Sequence, residues 1–198
     1  MTATLYLVRH GVTLFNTKHI IQGWTDSPLT PEGEEQAARV GRFFRHEGIA
    51  FDHAYASTLS RTHQTIERIT DMPYGSEPGL REWYFGMYEG EHTYLMPEYP
   101  WGDFFVQYGG ERQSEMEARV CGALVDIMQR PGHERVLAVS HGSACRQVLA
   151  KWDGYTGEKV PGNCSIMQLA FDGDAGFDAC FRVERIIEQD DMKRVLGG

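Results

Sequence analysis

Positive charge is scarce in this chain. Its 19 Lys and Arg residues stand against 28 Asp and Glu, giving a formal net charge of -9. No basic run interrupts that balance, so neither nucleic acid nor an anionic membrane is expected as a partner. One stretch, from Glu91 to Glu111, holds no Lys or Arg at all. No apolar run is long enough to span a bilayer, and Met1-Thr2-Ala3-Thr4-Leu5 lacks the basic start and apolar core of a signal peptide. A cytoplasmic location is the expectation. Cysteine is confined to positions 121, 145, 164 and 180, without a CxxC pair. That pattern predicts buried free thiols rather than a disulfide frame or a zinc site. His19, His46, His53, His63, His92 and His133 show no metal-ligand spacing either.

What is present suits one domain spanning 1–198. A hydrophobic fraction of 41% can fill a sizeable core. Leu5-Tyr6-Leu7-Val8 reads as a buried strand. Thr30-Pro31 opens a helix whose apolar face carries Ala37, Val40, Phe43 and Phe44, with Gly48 as the stop. A strand at His53 to Ala56 leads to a helix from about Ser60. Ser114 and Glu117 fit a capping box before a helix containing Val120, Leu124 and Ile127. Val136 to Val139 reads as a central strand ending at Ser140-His141-Gly142, followed by a helix from about Ala144 to Trp152. Two more strands are expected at Ser165 to Phe171 and Phe177 to Ile187. Alternation of this kind predicts a three-layer α/β/α sandwich with a mainly parallel central sheet. Ligands of such sheets gather beyond the carboxyl ends of the strands, where Arg9-His10 and His141 fall. The Pro-, Gly- and aromatic-rich segment at about 89–113 reads as a cap inserted over that edge.

Arg9-His10-Gly11 is the sharpest local signal. A neutral imidazole keeps one lone pair and can accept a phosphoryl group. A neighbouring guanidinium can grip phosphate oxygens with two parallel N–H groups. Arg61 follows at a helix start, where backbone N–H groups also favour anions. Glu82 sits beside Trp83-Tyr84-Phe85, an aromatic environment suited to a neutral carboxyl group. His141 supplies a second strand-end imidazole. Two histidines, two arginines and one carboxylate suffice for phosphoryl transfer without metal.

The chain resembles the histidine phosphatase superfamily, in the branch that contains the cofactor-dependent phosphoglycerate mutases. The likeness rests on Arg9-His10-Gly11, the Gln22-Gly23-Trp24-Thr25-Asp26-Ser27-Pro28-Leu29-Thr30 segment, Ser57 to Thr65, Leu80 to Glu82 and Ser140-His141-Gly142. It spans roughly residues 5 to 150. It implies that His10 attacks phosphorus while Arg9, Arg61 and His141 hold the equatorial oxygens. Glu82 would protonate the leaving oxygen and then deprotonate water. Asn16, Gln22, Gly23 and Gly142 would line the phosphate pocket, with no metal or other cofactor and a small phosphorylated metabolite as partner. The mutases of this branch have Glu-Ser after Arg-His-Gly and carry adjacent arginines in their insertion. Here Val12-Thr13 follows Gly11, and the corresponding segment, Glu91 to Glu111, offers Tyr94, Tyr99, Trp101, Phe104, Phe105 and Tyr108 among several acidic groups but no Lys or Arg. Hydrolysis of small phosphomonoesters is therefore expected first, mutase activity second, and a non-catalytic binding module third.

Overall fold

The structure, a computed structural model, describes residues 3–156 and 160–197. Met1 and Thr2 of the opening segment lie outside the described residues. Among the described residues, six strands form one sheet: β1 (Ala3–Arg9), β2 (His53–Ala56), β3 (Gly75–Ser76), β4 (Arg135–Ser140), β5 (Ile166–Phe171) and β6 (Phe181–Ile187). Their order is β3-β2-β4-β1-β5-β6. The first four neighbours are parallel, and β5 and β6 add an antiparallel edge. The helices are α1 (Leu14–Thr17), α2 (Pro31–His46), α3 (Ser60–Ile69), α4 (Gln113–Met128), α5 (Gly142–Trp152) and α6 (Gln189–Leu196). No helix among the described residues is long and apolar enough to cross a membrane.

Alternation along the strands builds the layers. Leu5 and Leu7 of β1, with Val136 and Ala138 of β4, pack into a core with Val120, Leu124 and Ile127 of α4 and Val148 of α5. Tyr6, Val8, Leu137 and Val139 face the other way, onto Ala37, Val40, Phe43 and Phe44 of α2, Ile66 of α3 and Met192 of α6. Such side chains contribute about 1.5–3 kcal/mol each when fully buried. A one-residue slip of register would turn every one of them to the wrong layer. The expected three-layer α/β/α sandwich with a mainly parallel sheet is what forms.

Several boundaries moved. Helix α4 starts at Gln113, and Glu115 accepts the Arg112 N–H at 3.0 Å, so Ser114 and Glu117 are not the capping pair. The cause lies upstream: Glu111 is already fixed by its N–H to Tyr84 O at 2.9 Å, and the helix follows directly. Strand β6 begins at Phe181 rather than Phe177, because residues 172–180 close a turn through Asp172 N–H to Cys180 O. The helix after β4 begins at Gly142, two residues before Ala144. Strand β3 and helix α6 complete the fold without having been expected.

The loop after β1 lies hard against the start of α2. A Cβ on Gly33 would meet Val12 O at 2.1 Å, and one on Gly11 would meet Gly33 O at 2.5 Å. Gly11 is therefore required for space, not for a left-handed backbone.

Candidate active site

Register places the two histidines together. Arg9 of β1 stands opposite Ser140 of β4, so His10 and His141 leave the sheet as neighbours. Their ring centroids are 5.3 Å apart and their planes inclined at 60°. Both are buried.

Hydrogen bonds fix both tautomers. His10 Nδ1 lies 2.8 Å from Gly11 O, which can only accept. The proton therefore sits on Nδ1, and Nε2 keeps its lone pair. His141 Nδ1 accepts from Arg61 Nε at 3.2 Å, so its proton is on Nε2, which donates to Ser57 Oγ at 2.8 Å. Burial, then Arg61 and Arg9, hold His10 well below the usual histidine value of 6.5. Burial, then Arg61 and His10, do the same to His141. Both rings are neutral bases near neutral pH.

That depression has a consequence for stability. Below 6.5 the unfolded chain binds protons at these positions that the folded chain refuses. Stability therefore rises with pH between the folded values and 6.5, and falls as pH is lowered through that window. Urea midpoints should drop as pH falls below 6.5, and His10→Ala should flatten part of the slope. An unchanged slope in the variant would remove His10 from this account.

Around His10 a cavity of about 160 Å³ is lined by Arg9, Asn16, Gln22, Gly23, Arg61 and Glu82, with Phe85, Thr93 and Met96 on the cap side. Arg9 Nη1 donates to Pro161 O at 2.7 Å, while its buried Nε meets no protein acceptor among the described residues. Asn16 Oδ1 and Gln22 Oε1 lie 3.1 and 3.0 Å from Thr13 Oγ1, which leaves their amide NH₂ groups as donors for the cavity. An enclosed anion is what such a set of donors suits.

Arg61 is more heavily engaged than its sequence position suggests. It donates to Gly23 O at 2.7 Å, Thr25 O at 3.1 Å, Asp26 Oδ1 at 3.1 Å and His141 Nδ1. The start of α3 is also occupied: the N–H groups of Ser60 and Arg61 donate to the Asp26 carboxylate. The anion expected at that helix start is a side chain of the protein itself.

Glu82 stands between two chambers. It lines the His10 cavity and also an adjoining one of about 370 Å³, walled by Gly142, Ser143, Arg146, Trp101 and Val160. Its Oε1 accepts the Trp83 N–H at 2.9 Å and its Oε2 the Ser143 N–H at 3.1 Å. Of the aromatic neighbours expected around the carboxyl group, Phe85 lines the same cavity, and Trp101 of the cap walls the second chamber. Trp83, Phe85 and Phe105 pack edge-to-face or stacked in the cap core. Glu89 accepts the N–H groups of Trp24 and Thr25 at 2.8 Å. Arg81 donates to Thr58 Oγ1 and lies over the Trp24 ring, outside both chambers. A larger cavity of about 490 Å³, near Phe44, Phe51 and Met72, contains none of these groups.

Four residues with a place here were given no role from the sequence, although Ser57 and Thr65 belong to a quoted motif. Ser57 receives His141, and Thr65 Oγ1 accepts the Gly11 N–H at 3.1 Å. Ser143 reaches Glu82 through its backbone, as a residue at a helix start can. Arg146 brings a buried guanidinium into the second chamber, 4.2 Å from the Tyr99 ring centroid and 4.5 Å from that of Trp101. The stretch from Glu91 to Glu111 holds no Lys or Arg, but α5 supplies a guanidinium to the chamber. All four cysteines are buried and free, and burial pushes the Cys121 and Cys145 thiols up to about 12.

Neutral histidines, guanidinium groups and a carboxyl group at the carboxyl edge of a parallel sheet define an α/β enzyme acting on phosphate esters. The chain belongs to the histidine phosphatase superfamily (branch 1), whose sequence profile matches residues 5–179. It is 32% identical over 169 residues to a broad-specificity phosphatase of Saccharomyces cerevisiae, covering 79% of this chain and 74% of that protein. It is 40% identical over 152 residues to the protein named "Probable phosphoglycerate mutase GpmB" of Enterobacter sp., covering 71% and 70%. Among solved structures, Bacillus stearothermophilus YhfR superposes with a TM-score of 0.77 at 29% identity, covering 94% and 96%. A phosphoglycerate mutase from Bacillus anthracis superposes with a TM-score of 0.84 over 98% and 97%, a likeness of fold at 23% identity.

Proposed function

We propose that the protein is a metal-independent phosphomonoesterase that works through a phosphohistidine on His10. The observation that carries this reading is the Nδ1-to-Gly11 O bond, which leaves His10 Nε2 as a lone pair inside a cavity lined by N–H donors. In the first step Nε2 bonds to phosphorus and the ester P–O bond breaks. Glu82 gives its proton to the departing alkoxide. In the second step water attacks phosphorus, Glu82 takes the water's proton, and the N–P bond breaks to release phosphate. Arg9, Asn16, Gln22 and Arg61 steady the charge on the equatorial oxygens, which is the main work in such transfers. His141, whose Nε2–H is held by Ser57, would turn that donor toward the same oxygens when phosphate arrives.

Hydrolysis and mutation differ only in whether water or a second substrate hydroxyl receives the phosphoryl group. The relatives' names include both a phosphatase and mutases. Arg146 places a guanidinium in the chamber that Glu82 borders, so 3-phosphoglycerate belongs among the substrates to test. A bisphosphate would need more: among the described residues Arg9 and Arg146 are the guanidinium groups lining the second chamber, and Arg9 already serves the transferred phosphoryl group, so a further dianion lacks full counter-charge. We expect phosphate release from phenyl phosphate, a neutral sugar phosphate and 3-phosphoglycerate, unchanged by chelator, with bisphosphates poor. Accumulation of 2-phosphoglycerate from 3-phosphoglycerate with bisphosphoglycerate supplied would install the mutase reading instead. No phosphate release from any ester would leave a binding module.

A further inference from the structure

The carbonyl side of Glu82 is held as firmly as its carboxyl side, and by groups with no place in the reaction. Arg119, on α4, aims its guanidinium at the loop that presents Glu82. Its Nη1 donates to Gly79 O at 2.9 Å and to Arg81 O at 3.0 Å, and its Nη2 to Glu82 O at 3.1 Å. The remaining two N–H groups form a fork on Glu111, Nε to Oε1 at 2.8 Å and Nη2 to Oε2 at 2.7 Å. All five donors of the guanidinium are thereby committed, so Arg119 has none left for a substrate. Glu111 grips the same loop from its own backbone. Its carbonyl accepts Trp83 Nε1–H at 2.8 Å, and its N–H donates to Tyr84 O at 2.9 Å. Trp24 Nε1–H donates to the same Glu82 O at 2.8 Å.

We propose that Glu111 and Arg119, with Trp24 as a second anchor on the same carbonyl, form a clamp that sets how far the Glu82 carboxyl group reaches toward the leaving oxygen. They are positioning residues: they act on residue 82 and touch neither chamber. The ion pair is well shielded, with side chains 22% and 13% exposed, and its fork geometry is specific to arginine. An ion pair serving stability alone would not need to place three of its five N–H groups on carbonyls at 79, 81 and 82. Glu111 also closes the cap segment, so the clamp ties the cap's end to the proton donor.

The inference rests on Glu82 being that donor, and the test separates the two. In the full chain, Arg119→Lys keeps the charge but lacks the fork and has only three N–H groups. Trp24→Phe keeps an aromatic ring and deletes one N–H to Glu82 O. Each is compared with Glu82→Gln on glycerol phosphate and p-nitrophenyl phosphate, with active enzyme counted by the phosphoenzyme burst. A displaced donor matters only when the leaving group needs a proton. Arg119→Lys should lose about 10- to 100-fold in kcat on glycerol phosphate, the scale on which a displacement of an ångström acts, with KM little changed. Its burst rate on p-nitrophenyl phosphate, which reports phosphohistidine formation alone, should stay within about threefold. Trp24→Phe should show the same pattern at roughly 3- to 10-fold. Equal losses on both substrates, or a fall in Tm with both rates intact, would overturn the clamp. Should Arg119→Lys not fold, Trp24→Phe alone decides. If Glu82→Gln itself leaves the ratio of the two rates unchanged, the donor assignment fails and takes the clamp with it. If Glu82→Gln shifts the ratio and neither clamp variant does, the clamp alone fails.

Discussion

His10→Ala should abolish turnover and the phosphoenzyme together. The expected loss is on the order of 10⁶-fold in kcat, the scale seen when a covalent nucleophile is removed. Nothing in the site can substitute. His141 is the nearest imidazole, but its Nδ1 lone pair is held by Arg61 Nε and its Nε2 carries the proton given to Ser57. The buried thiols Cys145 and Cys164 are raised by burial and so supply almost no thiolate. The measurement is a rapid quench that avoids acid, using substrate labelled in the phosphoryl group. Wild-type protein should hold the label on an acid-labile, base-stable bond, and the variant should hold none. Label retained on the variant would place the acceptor elsewhere. The cavity keeps its Arg9, Arg61, Asn16 and Gln22 donors in the variant, so inorganic phosphate should still bind, and binding without turnover separates a lost nucleophile from a collapsed pocket.

The sequence made the sheet and its chemical edge legible because both are written in short-range pattern. Leu5 to Val8 and Val136 to Val139 are continuous apolar runs, as strands buried on both faces must be. Each ends directly in a polar residue followed by histidine and glycine. What parallel register then does to those ends, placing His10 beside His141, is not visible in either run alone. The cap was less legible. Its aromatics read equally well as a wall or as core, and they divided: Phe105 is fully buried, Phe104 packs half-buried against the core, Trp101 both packs there and walls the second chamber, and Tyr94 is exposed. Arg146 was missed because it stands on a helix among ordinary alternating residues, and only the cap folding over it makes a chamber. Arg119 and Glu111 lie eight positions apart, and the carbonyls that Arg119 serves belong to a loop about 40 residues earlier. No local spacing encodes that meeting. The Asp26 carboxylate at the start of α3 likewise depends on a contact across 34 residues.

Glu82→Gln should divide substrates by their leaving groups. Among the described residues Glu82 is the one carboxyl group shared by the His10 cavity and the adjoining chamber, so it borders the place where an ester oxygen must lie when phosphorus faces His10. Glutamine fills the same volume and leaves the anion donors untouched, but has no proton to give. Its amide NH₂ would also confront the N–H of Trp83 or Ser143, both of which now donate to the carboxyl oxygens. One of those bonds must break, a cost both substrates share and one that shows as a common fall in rate. The remainder is the proton. An alkoxide leaving unprotonated is a strong base, so glycerol phosphate should lose roughly 100- to 10,000-fold in kcat, the range over which a positioned acid acts. The p-nitrophenolate anion is stable without a proton, and its ester should lose less than about tenfold in the formation of phosphohistidine. Breakdown of that intermediate still needs a base for water, so the variant should show a burst of nitrophenol equal to the enzyme present, then a slow steady rate. A burst followed by slow release assigns both halves of the proton traffic to Glu82. Loss of the burst and of both substrates in equal measure would assign Glu82 to the architecture of the Trp83 turn instead, and the donor would have to be sought elsewhere in the chamber.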